Sequence, residues 1–122
     1  MHEYSLVQAL LTRVENEAKN RHATAVHRVA VRIGPLAGVE PVLFATAFDH
    51  LIQGSICDGA ALEIQREATE WRCMSCDAVI PEGEVLACPA CGWPARLAGG
   101  DALTLERIEL EVPQHVSGLR MR

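Results

Sequence analysis

The sequence predicts an α+β fold, a small three-stranded sheet with two helices, into which a cysteine-rich module is inserted. Three observations support this prediction. Apolar residues recur at helical spacing near the N-terminus, a segment with a period of two follows, and two closely spaced cysteine pairs stand between the last two predicted strands. With 122 residues, the chain has the size of one domain with room for a small insertion.

Two helices are predicted. The first covers residues 3–20, where the apolar side chains follow one stripe at spacings of three, four and seven residues: Leu6, Val7, Leu10, Leu11, Val14 and Ala18. The second begins at Pro41, because proline suits the first turn of a helix. Its apolar stripe runs to Ile52, and Gly54 is predicted to mark its end.

Three segments have the pattern of strands: residues 27–33, 61–69 and 103–112. The first alternates between apolar and polar residues, which indicates a half-buried strand. In the third, the apolar positions change parity halfway along the segment. A bulge near Glu106 and Arg107 would reconcile the two halves, because an extra residue restores the alternation.

The overall charge and hydropathy argue against several classes of protein. The net charge is −5, whereas nucleic-acid-binding domains usually show a basic excess or a basic stripe. No apolar run is long enough for a membrane span, and the N-terminus lacks the basic and apolar regions of a secretory signal. We therefore expect a cytoplasmic protein with neither nucleic acid nor membrane as partner. In a reducing compartment, paired cysteines are more often metal ligands than disulfides.

Four of the five cysteines form a pattern typical of a zinc site: Cys73, Cys76, Cys88 and Cys91. Two residues between cysteines let both sulfurs of a tight turn reach one ion, and two such turns supply a tetrahedron of thiolates. Four protein ligands leave no open position, so the site is predicted to be structural. Iron, as in an electron carrier, and disulfides are the alternatives. The fifth cysteine, Cys57, is predicted to be a small buried side chain.

The cysteine pattern lies in residues 70–100, which lack an apolar period long enough for a core of their own. We interpret this segment as a zinc-binding, zinc-ribbon-like domain. It would be inserted into a discontinuous α/β domain made of residues 1–69 and 101–113. Residues 114–122 are predicted to be a mobile tail.

The N-terminus offers a second metal site. A bulky second residue should block removal of the initiator methionine, which leaves a free amine on Met1. That amine, the amide nitrogens of His2 and Glu3, and the His2 imidazole can form a planar nitrogen set, which suits Ni(II) or Cu(II) rather than zinc. Glu3 could add an oxygen ligand. The alternative is that His2 lies on a frayed terminus without a role.

The remaining histidines are predicted to be structural or solvated rather than metal ligands: His22, His27, His50 and His115. Of these, only His50 is expected to be partly buried, because it lies within the second predicted helix. No phosphate-binding loop, nucleophile motif or paired acid and base is present in the sequence. An enzyme is therefore the least favoured class of protein.

Taken together, the run Met1–Ser5, the amphipathic helix behind it and the two cysteine pairs resemble the HypA/HybF family of nickel metallochaperones for [NiFe] hydrogenase maturation. Shorter segments also look like the family: residues 31–34, 38–41 and 108–110. The similarity covers about residues 1–112. Pro35 departs from the pattern, because many members have a glutamate there.

The resemblance implies a nickel domain and a zinc domain. It implies that His2 is the essential nickel ligand with Glu3 beside it, and that the two cysteine pairs hold zinc. It also implies two partners, a maturation GTPase of the same pathway and the hydrogenase large subunit, and relatives in some bacteria also serve urease. We therefore expect a nickel metallochaperone, not an enzyme, and leave open a homodimer. A zinc-ribbon scaffold protein without nickel transfer is the alternative.

Overall fold

The structure is a computed structural model of the chain. It describes residues 2–81 and 86–113, and the backbone of residues 119–121. In these residues the helices and strands are α1 (His2–Asn20), β1 (Ala25–Ile33), α2 (Pro41–Leu51), β2 (Ala61–Arg66), β3 (Glu70–Cys73), β4 (Val79–Ile80), β5 (Ala95–Gly99), β6 (Leu103–Glu111) and β7 (Leu119–Met121).

The main sheet has the strand order β2-β1-β6-β7. Its first three strands are the three predicted from the sequence, and β1 pairs parallel with β2 and antiparallel with β6. The predicted α+β fold with two helices and an inserted module is therefore confirmed. The sequence predicted a mobile tail after residue 113. The structure instead shows a short fourth strand, β7, in which the backbone of Leu119–Met121 pairs with β6. Residues 114–118 of that predicted tail lie outside the described residues.

The third predicted strand, β6, contains the predicted bulge. Its register against β1 changes from the pair Ala30 and Arg107 to the pair Val31 and Leu105, which leaves Glu106 as the extra residue. An extra residue in one strand shifts its alternation by one position. The apolar side chains on both sides of the bulge therefore face the same core.

Both helices pack against one face of the main sheet and share one apolar core with it. The predicted stripe of α1 supplies its buried residues: Val7, Leu10, Leu11, Val14 and Ala18. α2 begins at Pro41 as predicted and buries Phe44, Ala47 and Phe48. Burial of each large side chain contributes roughly 1.5–3 kcal/mol. In the described part of the chain, neither helix combines the length and the apolar character that a membrane crossing requires.

The opposite face of the main sheet carries pairs of arginine and glutamate. Arg28 lies 3.5 Å from Glu63 on β2 and 3.6 Å from Glu109 on β6, so one guanidinium bridges all three strands. The main sheet therefore has a helical layer on one side and a charged surface on the other.

The inserted segment forms a second sheet with the strand order β4-β3-β5. Its apolar cluster is small and is made of Cys73, Ile80 and Cys88, with Trp71 and Ala95 packed against them. A unit shorter than about 40 residues usually needs a metal, disulfides or a partner to fold. Cysteine ligands are thus part of the only core that the described residues of this insertion contain.

The chain leaves the insertion at Gly100 and there lies against the loop that follows β1. We call the contact between Gly34 and Gly100 the glycine seam. The Gly34 N–H donates to the carbonyl of Ala102 at 2.9 Å, and the Leu36 N–H donates to the carbonyl of Gly100 at 2.8 Å. A Cβ atom at Gly34 would lie 2.2 Å from the backbone of Gly100. Glycine is required here because the two backbones are in direct contact.

Candidate metal centres

The four predicted cysteine ligands converge, with their Sγ atoms all within 4.8 Å of one another. The Sγ atoms lie 3.4 Å apart for Cys73 and Cys91, 3.7 Å for Cys76 and Cys88, and 3.9 Å for Cys76 and Cys91. Thiolates arranged tetrahedrally about 2.3 Å from a zinc ion are separated by about 3.8 Å. The sulfur positions therefore fit a four-coordinate zinc ion.

Each cysteine pair lies on a tight turn whose backbone N–H groups point at a cysteine sulfur. In the first turn, the N–H groups of Ser75 and Cys76 lie 3.3 and 3.4 Å from Cys73 Sγ. The residue after the second cysteine of each turn has a positive φ, 62° at Asp77 and 78° at Gly92. Glycine and aspartate tolerate this conformation better than most residues, and the sequence had indicated the role of Gly92.

These N–H groups stabilise the thiolate form of the first cysteine of each turn. The Cys76 N–H, with a smaller contribution from Ser75, lowers the pKa of Cys73 to about 6. The N–H groups of Ala90 and Cys91 likewise lower the pKa of Cys88. Hydrogen bonds to a charged form favour that form. One thiol in each turn is therefore prepared to lose its proton.

The second cysteine of each turn has a raised pKa, unlike the first. The Trp93 N–H lowers the pKa of Cys91, but the adjacent sulfur of Cys73 and burial raise it, with a net value of about 12. For Cys76, the Ala78 N–H lowers the pKa, while the adjacent sulfurs raise it above its ordinary value. Four adjacent thiolates repel one another unless a cation neutralises them. A divalent ion with an affinity for sulfur and tetrahedral geometry, such as zinc, meets this requirement.

Two arginines that are not part of the cysteine cluster contact the first cysteine turn. Arg72 Nη1 donates to the carbonyl oxygen of Asp77 at 3.0 Å, and Arg96 forms an ion pair with the Asp77 carboxylate. Groups that orient a ligand turn support metal binding without touching the metal. The sequence alone did not indicate these contacts, and Arg96 reaches Asp77 only because β5 pairs with β3.

The structure brings the predicted nickel residues His2 and Glu3 together at the start of α1. His2 Nδ1 lies 3.8 Å from Glu3 Oε2, and the side chains are 59% and 13% exposed, respectively. The predicted Met1 ligand lies outside the described residues. An imidazole that is open to solvent beside a carboxylate can take up a cation and release it again.

Glu3 also ties the N-terminus to the start of α2. Its Oε2 accepts a hydrogen bond from the Glu40 N–H at 3.0 Å, and Glu40 in turn caps α2 by accepting from the Val42 N–H at 2.9 Å. The Glu40 N–H is the main reason why the pKa of Glu3 is lowered. Glu3 is therefore negatively charged at neutral pH. Pro41 marks the first turn of α2 and so places Glu40 at the cap position in the sequence, whereas the contact between Glu40 and Glu3 depends on the packing of α2 on α1.

The other candidates do not join either site. His27 Nε2 lies 2.7 Å from Glu111 Oε1 at the exposed edge of the sheet. The prediction that His50 is partly buried is wrong, because its side chain is exposed next to Tyr4. Cys57 is fully buried as predicted, and burial raises its pKa to about 11. His115 lies outside the described residues.

A small body of two helices and a four-stranded sheet, with an inserted cluster of four cysteines whose sulfur positions fit zinc, defines a metal-binding protein. The family model described as "Hydrogenase/urease nickel incorporation, metallochaperone, hypA" matches residues 1–110. The chain belongs to the HypA family.

Curated relatives and solved structures agree with this assignment. The hydrogenase maturation factor HypA of Shewanella baltica strain OS195 is 39% identical over 114 residues, covering 91% of this chain and 97% of the relative. That of Aquifex aeolicus is 38% identical over 114 residues, covering 92% and 99%. The solution structure of the Ni metallochaperone HypA from Helicobacter pylori is similar, with a TM-score of 0.69 and 29% identity, covering 90% of this chain and 97% of that chain. A further solution structure of a HypA protein reaches a TM-score of 0.76 with 30% identity, covering 94% and 98%.

Proposed function

We propose that this chain is a nickel metallochaperone that carries Ni(II) at its N-terminus for the maturation of [NiFe] hydrogenase. The observation that carries the proposal is the exposed His2 beside the ionised Glu3 in a chain of the HypA family. Nickel is the cargo, so its site must both bind and release it. A terminal site at the surface suits that task, whereas a closed cage would slow release.

The proposed nickel ligands are the Met1 amine, the amide nitrogens of His2 and Glu3, and the His2 imidazole. The first N–H groups of a helix have no partner four residues earlier. An amide at the start of α1 can therefore bind a metal without breaking the helix. Square-planar nitrogen coordination favours Ni(II) or Cu(II) over zinc, and the deprotonation that it requires makes affinity fall in acid.

The four cysteines would hold zinc as a structural ion. When bound, zinc would supply the charge that keeps four thiolates together, and it would fix the second sheet. We propose the corresponding domain organisation: a nickel-binding domain of residues 1–69 and 101–113, and a zinc-binding domain of residues 70–100. The separate sheets and separate apolar clusters support this division.

Membership of the family implies that the chain works with other hydrogenase maturation proteins. We propose the maturation GTPase and the hydrogenase large subunit as its partners, in the cytoplasm. The protein would bind and pass on metal rather than transform a substrate, since the zinc site has four protein ligands and no open position for catalysis.

Nickel titration of the zinc-loaded protein by calorimetry tests the function. Two versions are compared, one with the native Met1 amine and one with a short extension before Met1. The native protein should bind about one equivalent of Ni(II), and the extended one should bind it far more weakly. His2→Ala should abolish nickel binding while zinc and fold are retained. Equal binding by both versions would place the site elsewhere, and binding by neither would favour the zinc-ribbon scaffold.

A further inference from the structure

The short strand β7 covers one edge of the main sheet. In the order β2-β1-β6-β7, the outer edge of β6 would be open without it. Three pairs of residues join the two strands in an antiparallel register: Ile108 with Met121, Glu109 with Arg120, and Leu110 with Leu119. The family model ends at residue 110, whereas β7 begins at Leu119. The pattern shared by the family therefore does not account for this strand.

The strand that β7 covers is the longer of the two strands that flank β1. β6 has nine residues, and β2 on the other side has six. The apolar residues Ile108 and Leu110 of β6 are buried in the main core. An edge strand presents a row of unpaired N–H and C=O groups, and a long apolar edge readily pairs with another chain. An uncovered β6 would thus be an edge at which the sheet could be extended.

The charge pattern of β6 suits pairing with a second copy of the same strand. Residues directly opposite in an antiparallel pair share one face of the sheet. If two copies of β6 are centred on Ile108, Arg107 of each copy lies opposite Glu109 of the other. Centring on Arg107 or on Glu109 would instead set like charges opposite each other, which destabilises a strand pair. The arrangement about Ile108 therefore gives two Arg–Glu pairs without a like-charged pair.

The other edge of the sheet lacks this property. The charged residues of β2 are Glu63 and Arg66, which stand three positions apart and so lie on opposite faces of the strand. A symmetric register cannot bring them together, because facing residues must share a face. Centring β2 on Glu63 would set two glutamates against each other. A second copy is therefore matched to β6 and not to β2.

β7 reproduces the pairing that a second copy would offer. Its residue Arg120 takes the register position opposite Glu109 that Arg107 of a second copy would take. Residues 114–122 contain two arginines and no acidic residue, whereas β6 contains three glutamates and one arginine. A segment tethered to the same chain by a short linker acts at an effective concentration of about a millimolar. β7 therefore wins over a second copy at lower protein concentrations.

We propose that β6 is a self-association edge of this chain, and that β7 is a guard strand that keeps this edge closed to a second copy. Displacement of β7 would let two copies join through β6 into one continuous sheet, with the helices of both copies on the same side. The C-terminal segment would thus control the assembly of the chain independently of metal binding at the N-terminus or at the cysteines.

Charge reversal in the C-terminal segment of the full-length, zinc-loaded chain tests the guard strand. Arg120→Glu with Arg122→Glu puts negative charge against β6, and proton contacts between β6 and β7 should be lost in nuclear magnetic resonance spectra. Sedimentation should then give the variant double the mass of the wild type at the same micromolar concentration. Arg13→Glu with Lys19→Glu is the charge-matched control on exposed positions of α1, and its mass should not change. Retained contacts between β6 and β7, or a released variant of unchanged mass, would overturn the proposal.

The register of the new interface is tested in the same released variant. A dimer that mixes two isotope labels should show contacts between the two β6 strands around Ile108. Adding Arg107→Glu should weaken the dimer about tenfold, because both Arg–Glu pairs become like-charged. Adding Glu109→Arg as well should restore it, since the pairs are then reversed, and circular dichroism checks that each variant is folded. A dimer that ignores Arg107→Glu, or whose contacts lie outside β6, would overturn self-association at this edge.

Discussion

At the scale of single residues, Glu3 connects the N-terminus, the proposed nickel site, to the body of the protein. Its carboxylate is adjacent to the His2 ring and accepts the N–H of Glu40, so one side chain both supplies charge and fixes the start of α1 relative to α2. Because the Glu40 N–H stabilises the ionised form, the pKa of Glu3 lies below its ordinary value of 4.5. This lowering makes the contact dependent on pH.

The contribution of Glu3 to stability should decrease as the pH falls. A carboxylate whose pKa is lowered by folding stabilises the protein above its unfolded pKa, and this contribution is lost as the pH falls through the folded pKa. Glu3→Gln removes the charge but keeps an acceptor for the Glu40 N–H. Between about pH 5 and about pH 3, the wild type should therefore lose more stability than the variant. Urea unfolding of both proteins across this range measures the difference, and parallel curves would contradict it.

Residue types and their spacing carried most of the information about the two proposed metal sites, because the candidate ligands of each turn or terminus are close together in the sequence. Two residues between cysteines determine a turn, and a histidine at position 2 is next to the terminal amine wherever the chain folds. The supports of these sites are not local. Arg96 reaches Asp77 only because β5 pairs with β3, and Glu40 meets Glu3 only because α2 packs on α1.

At the scale of elements, the sequence predicted the features that follow from the period of its apolar residues. The parity change in β6 indicated its bulge, and the stripe of α1 indicated its buried face. The glycine seam depends instead on residues far apart in sequence. Nothing near Gly34 indicates that the backbone of Gly100 lies against it, so the contact could be found only in the structure. The strand β7 was missed because three residues are too short for a recognisable alternation.

The glycine seam makes a prediction for stability. In Gly34→Ala, the new Cβ would lie 2.2 Å from the Gly100 backbone, so the loop and the connection must separate. Overpacking of this kind lowers the free energy of unfolding by about 1–3 kcal/mol. Gly99→Ala is the matched control, because its Cβ would meet only the Glu70 Cβ at 3.5 Å. Its effect should stay within about 0.5 kcal/mol in the same urea titration. Equal destabilisation by both substitutions would show that the seam has no special role.

At the scale of the whole molecule, two units with separate cores share one chain. In the described residues, the main unit buries seventeen residues in one cluster, whereas the cluster of the inserted unit consists of three buried residues, two of which belong to the four-cysteine cluster. Because its apolar cluster is the larger, we expect the main unit to fold without the inserted one. We expect the inserted unit to depend on a bound metal, because units of its size rarely fold on their apolar core alone.

Removal of zinc should therefore unfold one unit and spare the other. The chain provides a separate signal for each, since both tryptophans, Trp71 and Trp93, lie in the inserted segment, while both helices lie in the main unit. On titration with a chelator, tryptophan emission should shift to longer wavelength as Trp71 leaves its packed position, and the helical signal in the far ultraviolet should persist. Added zinc should restore the emission, because metal binding and folding of such a unit are linked. Loss of both signals at the same chelator concentration would mean that the units fold as one, and that the zinc-dependent sheet also stabilises the helices of the main unit.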